Sequence, residues 1–187
     1  MIALNEYFNA YVDKIQKEGI LLEKFVEQRS DFSNFNASSV NTFRVWVLDN
    51  GKDISVIGAY LRIGRENSIV DNAAQGGIMC PVDISTGTLG GGITTSTPIR
   101  EEFDVHPDNG EQLLNIKING WNKVVDLSCE TLRVLPYTRF VGVDIAMTDE
   151  GPIVIEANVC PDKNGAANGK IRSNLLQSAA EHHQKYD

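Results

Sequence analysis

The chain has few cysteines, no long apolar run and no basic cluster, and each of these absences removes a class of protein. Cys80, Cys129 and Cys160 are odd in number and far apart. Neither a disulfide framework nor a C-x-x-C motif can be drawn from them, so they read as buried or incidental thiols in a reducing compartment. No apolar stretch approaches the roughly 18 residues of a membrane span, and the opening MIALNEYF lacks the basic and apolar regions of a signal peptide. These features predict a cytoplasmic protein with no membrane partner. Lys and Arg number 17 against 25 Asp and Glu, a net charge of −8, and without a cationic patch no grip on nucleic-acid phosphates is expected. His106, His182 and His183 lack ligand spacing with any cysteine, and no G-x-S-x-G is present, which leaves zinc and serine-hydrolase readings at background. Gly90-Gly91-Gly92 is followed by neither Lys-Ser/Thr nor a helix, so it reads as a mobile turn rather than a phosphate loop.

What is present is a chain of 187 residues, 42% hydrophobic and 22% charged, enough for one domain over residues 1–187 with its own core. Tyr7, Phe8, Tyr11, Val12 and Ile15 recur at helical spacing within residues 5–18, and Gly19 stands where a helix would stop. Residues 20–26 form an apolar strand candidate and residues 27–36 a polar loop, after which Ser38-Ser39 caps a brief turn. Residues 42–48 and 54–63 read as a hairpin around Asn50-Gly51, residues 76–82 as a further strand, and residues 93–105 contain another. Val124, Leu127, Leu132 and Val134 predict a helix between Trp121 and Pro136, and residues 174–186 a closing helix. Strands dominate the middle and helices the flanks, so the expected class is α+β with a mainly antiparallel sheet.

The segment VGVDIAMTDEGPIVIEANV, residues 141–159, reads as a second hairpin turning at Asp149-Glu150-Gly151. A three-residue loop pairs Thr148 with Pro152, Asp144 with Glu156 and Gly142 with Asn158. Alternation then puts Val143, Ile145, Met147, Ile153, Ile155 and Ala157 on one apolar face and Asp144, Glu156 and Asn158 on the other. Opposed carboxylates roughly 5 Å apart repel unless something positive lies between them. Magnesium, a hard cation that takes oxygen ligands, suits that set. A solvated outer face of an edge hairpin is the plainer alternative. Arg44 and Arg62 each interrupt an apolar strand, and arginine's planar fork suits phosphate or carboxylate recognition, although a neighbouring acid would satisfy either one. A two-residue Asn50-Gly51 loop places them on opposite faces and a three-residue loop on the same face.

The successive segments LLEKFVEQ, SSVNTFRVWVL, GAYLRI, NAAQGG, HPDNG and VGVDIAMTDEGPIVIEAN resemble the carboxy-terminal lobe of the ATP-grasp superfamily, most closely its sugar-transfer-associated branch, over residues 20–158. The resemblance implies ATP and Mg2+ as cofactors and an ATP-dependent ligase working through an acyl phosphate, with sugar-polymer biosynthesis as the family setting. It implies that Asp144, Glu156 and Asn158 hold magnesium, Glu156 bridging two ions. Glu23, Lys24, Phe25 and Val26 match the hinge strand whose backbone reads adenine, and the resemblance implies that Glu27 or a residue just after it lies near the ribose. Arg44 and Arg62 match the strand arginines that face the phosphates, and Asn72, Gly76 and Gly77 the asparagine and paired glycines that follow. Intact members carry a phosphate-binding lysine and a glycine-rich loop well upstream of the hinge. Only 22 residues precede Glu23, so residues 1–26 read as a remnant of the small lobe and hinge and residues 27–187 as the carboxy-terminal lobe. A truncated enzyme, a fragment, or half of a split protein fits that length. The expected partners are a nucleotide and a small carboxylate substrate, with a homodimer or a missing upstream lobe covering residues 7–26. A non-catalytic binding or interaction module is the alternative.

Overall fold

The structure, a computed structural model, describes residues 4–19, 23–66, 68, 71, 76–94 and 101–161. Its centre is an antiparallel sheet of strands β1 (Thr42–Asp49), β2 (Ile54–Ile63), β3 (Ile78–Asp83), β4 (Thr88–Leu89), β5 (Gly92–Ile93), β6 (Glu102–Phe103), β7 (Phe140–Thr148) and β8 (Gly151–Asn158). The order is β6-β5-β3-β2-β1-β7-β8, with β4 paired to β3 beside that path, so β1 and β7 lie inside the sheet and β8 at its edge. Helices α1 (Leu4–Glu18), α2 (Ser30–Ser33) and α3 (Trp121–Arg133) complete the described elements. The expected α+β class with a mainly antiparallel sheet is therefore what folds.

Alternation along the central strands builds two different faces. Phe43, Val45 and Val47 of β1, Leu61 and Ile63 of β2 and Val141, Val143 and Ile145 of β7 are fully buried on one side, where Trp121, Val124 and Leu132 of α3 close over them. Each such aliphatic side chain contributes about 1.5–3 kcal/mol by leaving water. Phe32 and Trp121 meet Phe43 edge-to-face at 5.5 Å. Helix α3 begins after Gly120, whose φ of +83° suits glycine at that boundary. Its mid-helix hydroxyls are satisfied by carbonyls one turn back, Ser128 by Val124 and Thr131 by Leu127. On the opposite face the described residues form a smaller cluster, from Trp46, Ile57, Tyr60, Met79 and Ile93.

Both hairpins close differently from the expected turns. Asp49 pairs with Ile54 across four residues, and Thr148 pairs with Gly151 across only Asp149 and Glu150. Each ladder then gains one extra residue, Ile57 between Gly58 and Val56 and Ile155 between Glu156 and Val154. Such a bulge changes which face the following residues take. Ile153 consequently pairs with Ala146, on the Asp144 side, whereas Val154 pairs with Ile145 on the core side. The expected uniform apolar face is corrected to that extent.

Three further expectations change. Residues 23–26 form no strand, and residues 20–22 lie outside the described residues, as does the helix expected over 174–186. The polar loop after them carries the short helix α2. Gly90-Gly91-Gly92 is not a free turn: Gly90 donates to Pro81 O at 2.7 Å and Gly92 opens β5. A Cβ on Gly92 would lie 2.6 Å from Ile78 and 2.9 Å from Leu113, so close packing against the core requires glycine there. No described helix is long and apolar enough to cross a membrane.

Candidate functional site

The face of the sheet opposite α3 carries the polar residues. Cross-strand pairing sets Arg44 opposite Asp144 on one side and Tyr60 on the other, Thr42 opposite Arg62, Asp144 opposite Glu156, and Gly142 opposite Asn158. Directly paired residues share a face, so Thr42, Arg44, Arg62, Asp144, Glu156 and Asn158 all project to the same side. The four-residue turn alone would have separated Arg44 from Arg62, and the two-residue turn alone would have sent Glu156 to the core side. The bulges at Ile57 and Ile155 restore both alignments.

Asp144 is the hub. Its side chain is 4% exposed and receives Arg44 Nε at Oδ1, Arg44 Nη2 at Oδ2 at 3.0 Å, and Arg62 Nη2 at Oδ2 at 2.7 Å. Burial disfavours the charged form of Arg44, but the hydrogen bonds and attraction of Asp144, with smaller contributions from Tyr60 and Glu156, hold its pKa above the usual value. Arg62 also donates from Nε and Nη2 to Thr42 Oγ1, at 3.0 and 2.7 Å, while the Thr42 hydroxyl and backbone N–H donate to Asp71 Oδ2. Burial pushes the Asp71 carboxyl above its ordinary range, against the pull of Arg62 and Thr42.

The site therefore contains a buried, bidentate charge pair flanked by a second arginine and a second acid. Glu156 is exposed and Asn158 half-buried, and neither side chain hydrogen-bonds to another described residue. Trp46 lies over Gly142, where a Cβ would come within 3.0 Å of its Nε1 and 2.8 Å of Pro161 Cβ. That indole N–H is buried without an acceptor among the described residues. Two hollows, of about 450 Å³ beside Lys117 and Trp121 and about 600 Å³ beside Arg133 and Tyr137, flank the ends of α3 and share no residue with this cluster.

A model of the sugar-transfer associated ATP-grasp family matches residues 10–180. The chain belongs to that family. No curated protein matches it significantly.

Within an ATP-grasp domain the donors of this cluster decide whether it suits magnesium. Glu156 and Asn158 offer oxygens that no described residue occupies, on one face of one rigid hairpin, which suits a hard cation. Asp144 fits with a condition. A carboxylate has about four lone-pair sites, and three N–H groups already occupy this one. No group of three or more His, Cys, Asp and Glu side chains is close enough to form a metal cluster among the described residues, so the amide of Asn158 is needed to complete the set.

The other sequence-derived positions are less gathered. Glu23, Lys24, Phe25 and Glu27 are exposed and Val26 half-buried, and none bonds to the polar cluster among the described residues. The chain joins the sheet just after them, where Gln28 Oε1 accepts from the Asn41 backbone at 3.0 Å and the Arg29 N–H donates to Met147 O at 2.8 Å. Asn72 lies outside the described residues, and Gly76, at φ +93°, leads into β3. Sequence reasoning missed Thr42 and Asp71. The signals were available: Thr42 stands two residues before Arg44 on the same strand, and Asp71 directly precedes Asn72.

Proposed function

We propose that this ATP-grasp chain supplies the magnesium- and phosphate-handling sheet of an ATP-dependent carboxylate ligase. In that reaction a substrate carboxylate oxygen attacks the γ-phosphorus, the bond to ADP breaks, and an amine or other nucleophile then attacks the acyl carbon and releases phosphate. The observation that carries the reading is the common face shared by two arginines, Asp144, Glu156 and Asn158, within a family-model match over residues 10–180. Asp144, Glu156 and Asn158 hold the cation, Arg44 and Arg62 orient the phosphates, residues 23–27 meet the adenine and ribose, and Asn72 borders the phosphates. A bound magnesium supplies neutralisation of the charge that spreads over the γ-phosphate oxygens, and preorganised arginines lower the same barrier by electrostatics and positioning. A role in sugar-polymer biosynthesis is a proposal supported only by the family's description as sugar-transfer associated.

A second reading, a non-catalytic binding module derived from such an enzyme, is favoured by one observation: Asp144 is already satisfied by arginine. Calorimetry with ATP and magnesium, on this chain alone and with a small lobe supplied in trans, tests both. Magnesium-dependent ATP binding that disappears in Glu156→Gln supports the site. ATP binding indifferent to magnesium and to that substitution, or no binding in either format, overturns it. Binding without turnover across a panel of carboxylates and amines selects the module.

A further inference from the structure

The two arginines of the site are not held alike. Among the described residues the Arg44 guanidinium bonds only to Asp144, through Nε to Oδ1 and through Nη2 to Oδ2 at 3.0 Å. Arg62 reaches that carboxylate once, at 2.7 Å. It has a second anchorage in Thr42 Oγ1, at 3.0 and 2.7 Å, and in Asp71 Oδ2, 3.5 Å from its Nε. Thr42 is in turn fixed by donating its hydroxyl and its backbone N–H to Asp71. Arg62 therefore keeps its place if Asp144 turns away. Arg44, with 6% of its surface exposed, does not, because a buried cation stripped of its single carboxylate is costly and takes the nearest anion instead.

We propose, resting on the magnesium and nucleotide reading above, that Arg44 is the exchangeable arginine and Arg62 the fixed one. Asp144 is shared between two cationic partners, Arg44 in the ligand-free chain and a divalent cation in the loaded one, and Arg44 passes to a polyphosphate as Asp144 is released. Each half of the exchange is unfavourable alone. A cation by itself displaces Arg44 with nothing to receive it, and a polyphosphate by itself draws Arg44 away and leaves Asp144 with Arg62 only. Cation and polyphosphate binding are therefore positively coupled through one side chain. Glu156 and Asn158 face no such competition and do not contribute to the coupling.

Thermal unfolding reads this directly, with MnCl2 alone, inorganic tripolyphosphate alone, and both together with Mn2+ in excess. In the unaltered chain the shift with both ligands exceeds the sum of the separate shifts by about 3 °C or more. Arg44→Gln leaves Asp144 only its bond to Arg62, so Mn2+ alone stabilises this variant more than it does the unaltered chain, and the shifts with Mn2+ and with tripolyphosphate become additive. Arg62→Gln keeps the coupling. Should Arg44→Gln fail to fold, Arg44→Lys replaces it: one ammonium cannot span both carboxylate oxygens, so its response to Mn2+ alone exceeds that of the unaltered chain and its coupling is reduced. Additive shifts in the unaltered chain, or equal loss of coupling in the Arg44 and Arg62 variants, overturn the exchange while leaving cation and phosphate binding in place. No shift in any variant with any combination removes the nucleotide reading, and the exchange with it.

Discussion

Ile57 in the β1–β2 hairpin and Ile155 in the β7–β8 hairpin are each the extra residue of a bulge, yet one is 4% exposed and the other 44%. Ile57 packs with Trp46, Tyr60, Met79 and Ile93, between two strands that are themselves flanked by others. Ile155 sits on the edge strand, where Ile153 and Val154 are also exposed. Both bulges do the same geometric work, which is to bring a functional side chain back to the face that its turn would have denied it. Burial makes the first register a property of the core, whereas the second belongs to an edge strand that α3 contacts but leaves exposed at Ile153, Val154 and Ile155. The arginines are thus placed by the part of the sheet that cannot slip, and the exposed acid by the part that can.

Inserting one alanine after each bulge residue gives the largest expected contrast. After Ile57, the added residue takes the place opposite Trp46, which moves Arg62 to the core face and Leu61 out of it, and circular dichroism should show no cooperative unfolding transition. After Ile155, only the end of an edge strand changes face, so the fold should persist while Glu156 and Asn158 turn away and any stabilisation by divalent cations is lost. Similar outcomes for the two insertions would mean that burial does not distinguish the bulges.

The link between the hairpins comes next. Arg44 and Asp144 join β1 to β7 as a buried pair, and removing one partner of such a pair costs about 3–5 kcal/mol because the other is left uncompensated. Arg44→Ala should approach that loss in chemical denaturation, moderated by the bond that Arg62 still makes to Asp144. Ile57→Ala should cost about 2–5 kcal/mol as a large-to-small core change. Ile155→Ala, on the exposed strand, should stay within about 0.5 kcal/mol. A loss at Ile155 equal to that at Ile57 would show that the edge hairpin is covered after all.

These contrasts also mark what the sequence could reveal. Alternation made the hairpins legible, and helical spacing made α1 and α3 legible, because hydrophobic burial imposes those periods. The pairing of Asp144 with Glu156 was anticipated through a turn that does not form. A two-residue turn and a downstream bulge give the same pairing there as a three-residue loop, so the pattern of residues around Asp144 cannot tell the two apart. Gly58, an isolated glycine inside β2, was a readable bulge signal beside Ile57, but nothing comparable accompanies Ile155. The engagement of Asp144 by Arg44 was beyond reach because it joins residues 100 positions apart. Strand order, not local composition, creates that contact.

A smaller effect separates the two hairpins by pH. The end of β2 is pinned by the turn at residues 106–110: Arg65 pairs with Asp108 at 2.7 Å, the Glu66 N–H donates to Asp108 at 2.8 Å, and buried His106 approaches Gly64 O at 3.3 Å through Nε2. The Asp108 N–H donates to His106 Nδ1 at 3.3 Å, so this network assigns the ring proton to Nε2. Burial lowers the His106 pKa below 6.5, outweighing the opposing contributions of Gly64 and Asp108, and Arg65 lowers it further. The unfolded chain therefore takes up the proton first. Stability from this group is complete above pH 6.5 and declines as the pH falls through the lowered value. Denaturation midpoints should fall from pH 7.5 to 5, with a shallower slope in His106→Gln and an unaltered slope in Ile155→Ala. An unchanged slope in His106→Gln would remove the turn as the origin of the effect.

Glu156→Gln should have the smallest effect of all in metal-free buffer. Two opposed carboxylates would repel, and on pairing alone the substitution should raise stability. The arrangement around Asp144 cancels that expectation. Arg44 and Arg62 already neutralise Asp144, and the charge of Glu156 adds to the field that favours Arg44 in its cationic form. Relief of repulsion and loss of attraction then oppose each other at an exposed position, so the net change should lie within about 0.5 kcal/mol. A gain above about 1 kcal/mol would mean that Asp144 acts on Glu156 as a free carboxylate. In that case the arginines do not hold it, and a cation reaches Asp144 without displacing Arg44.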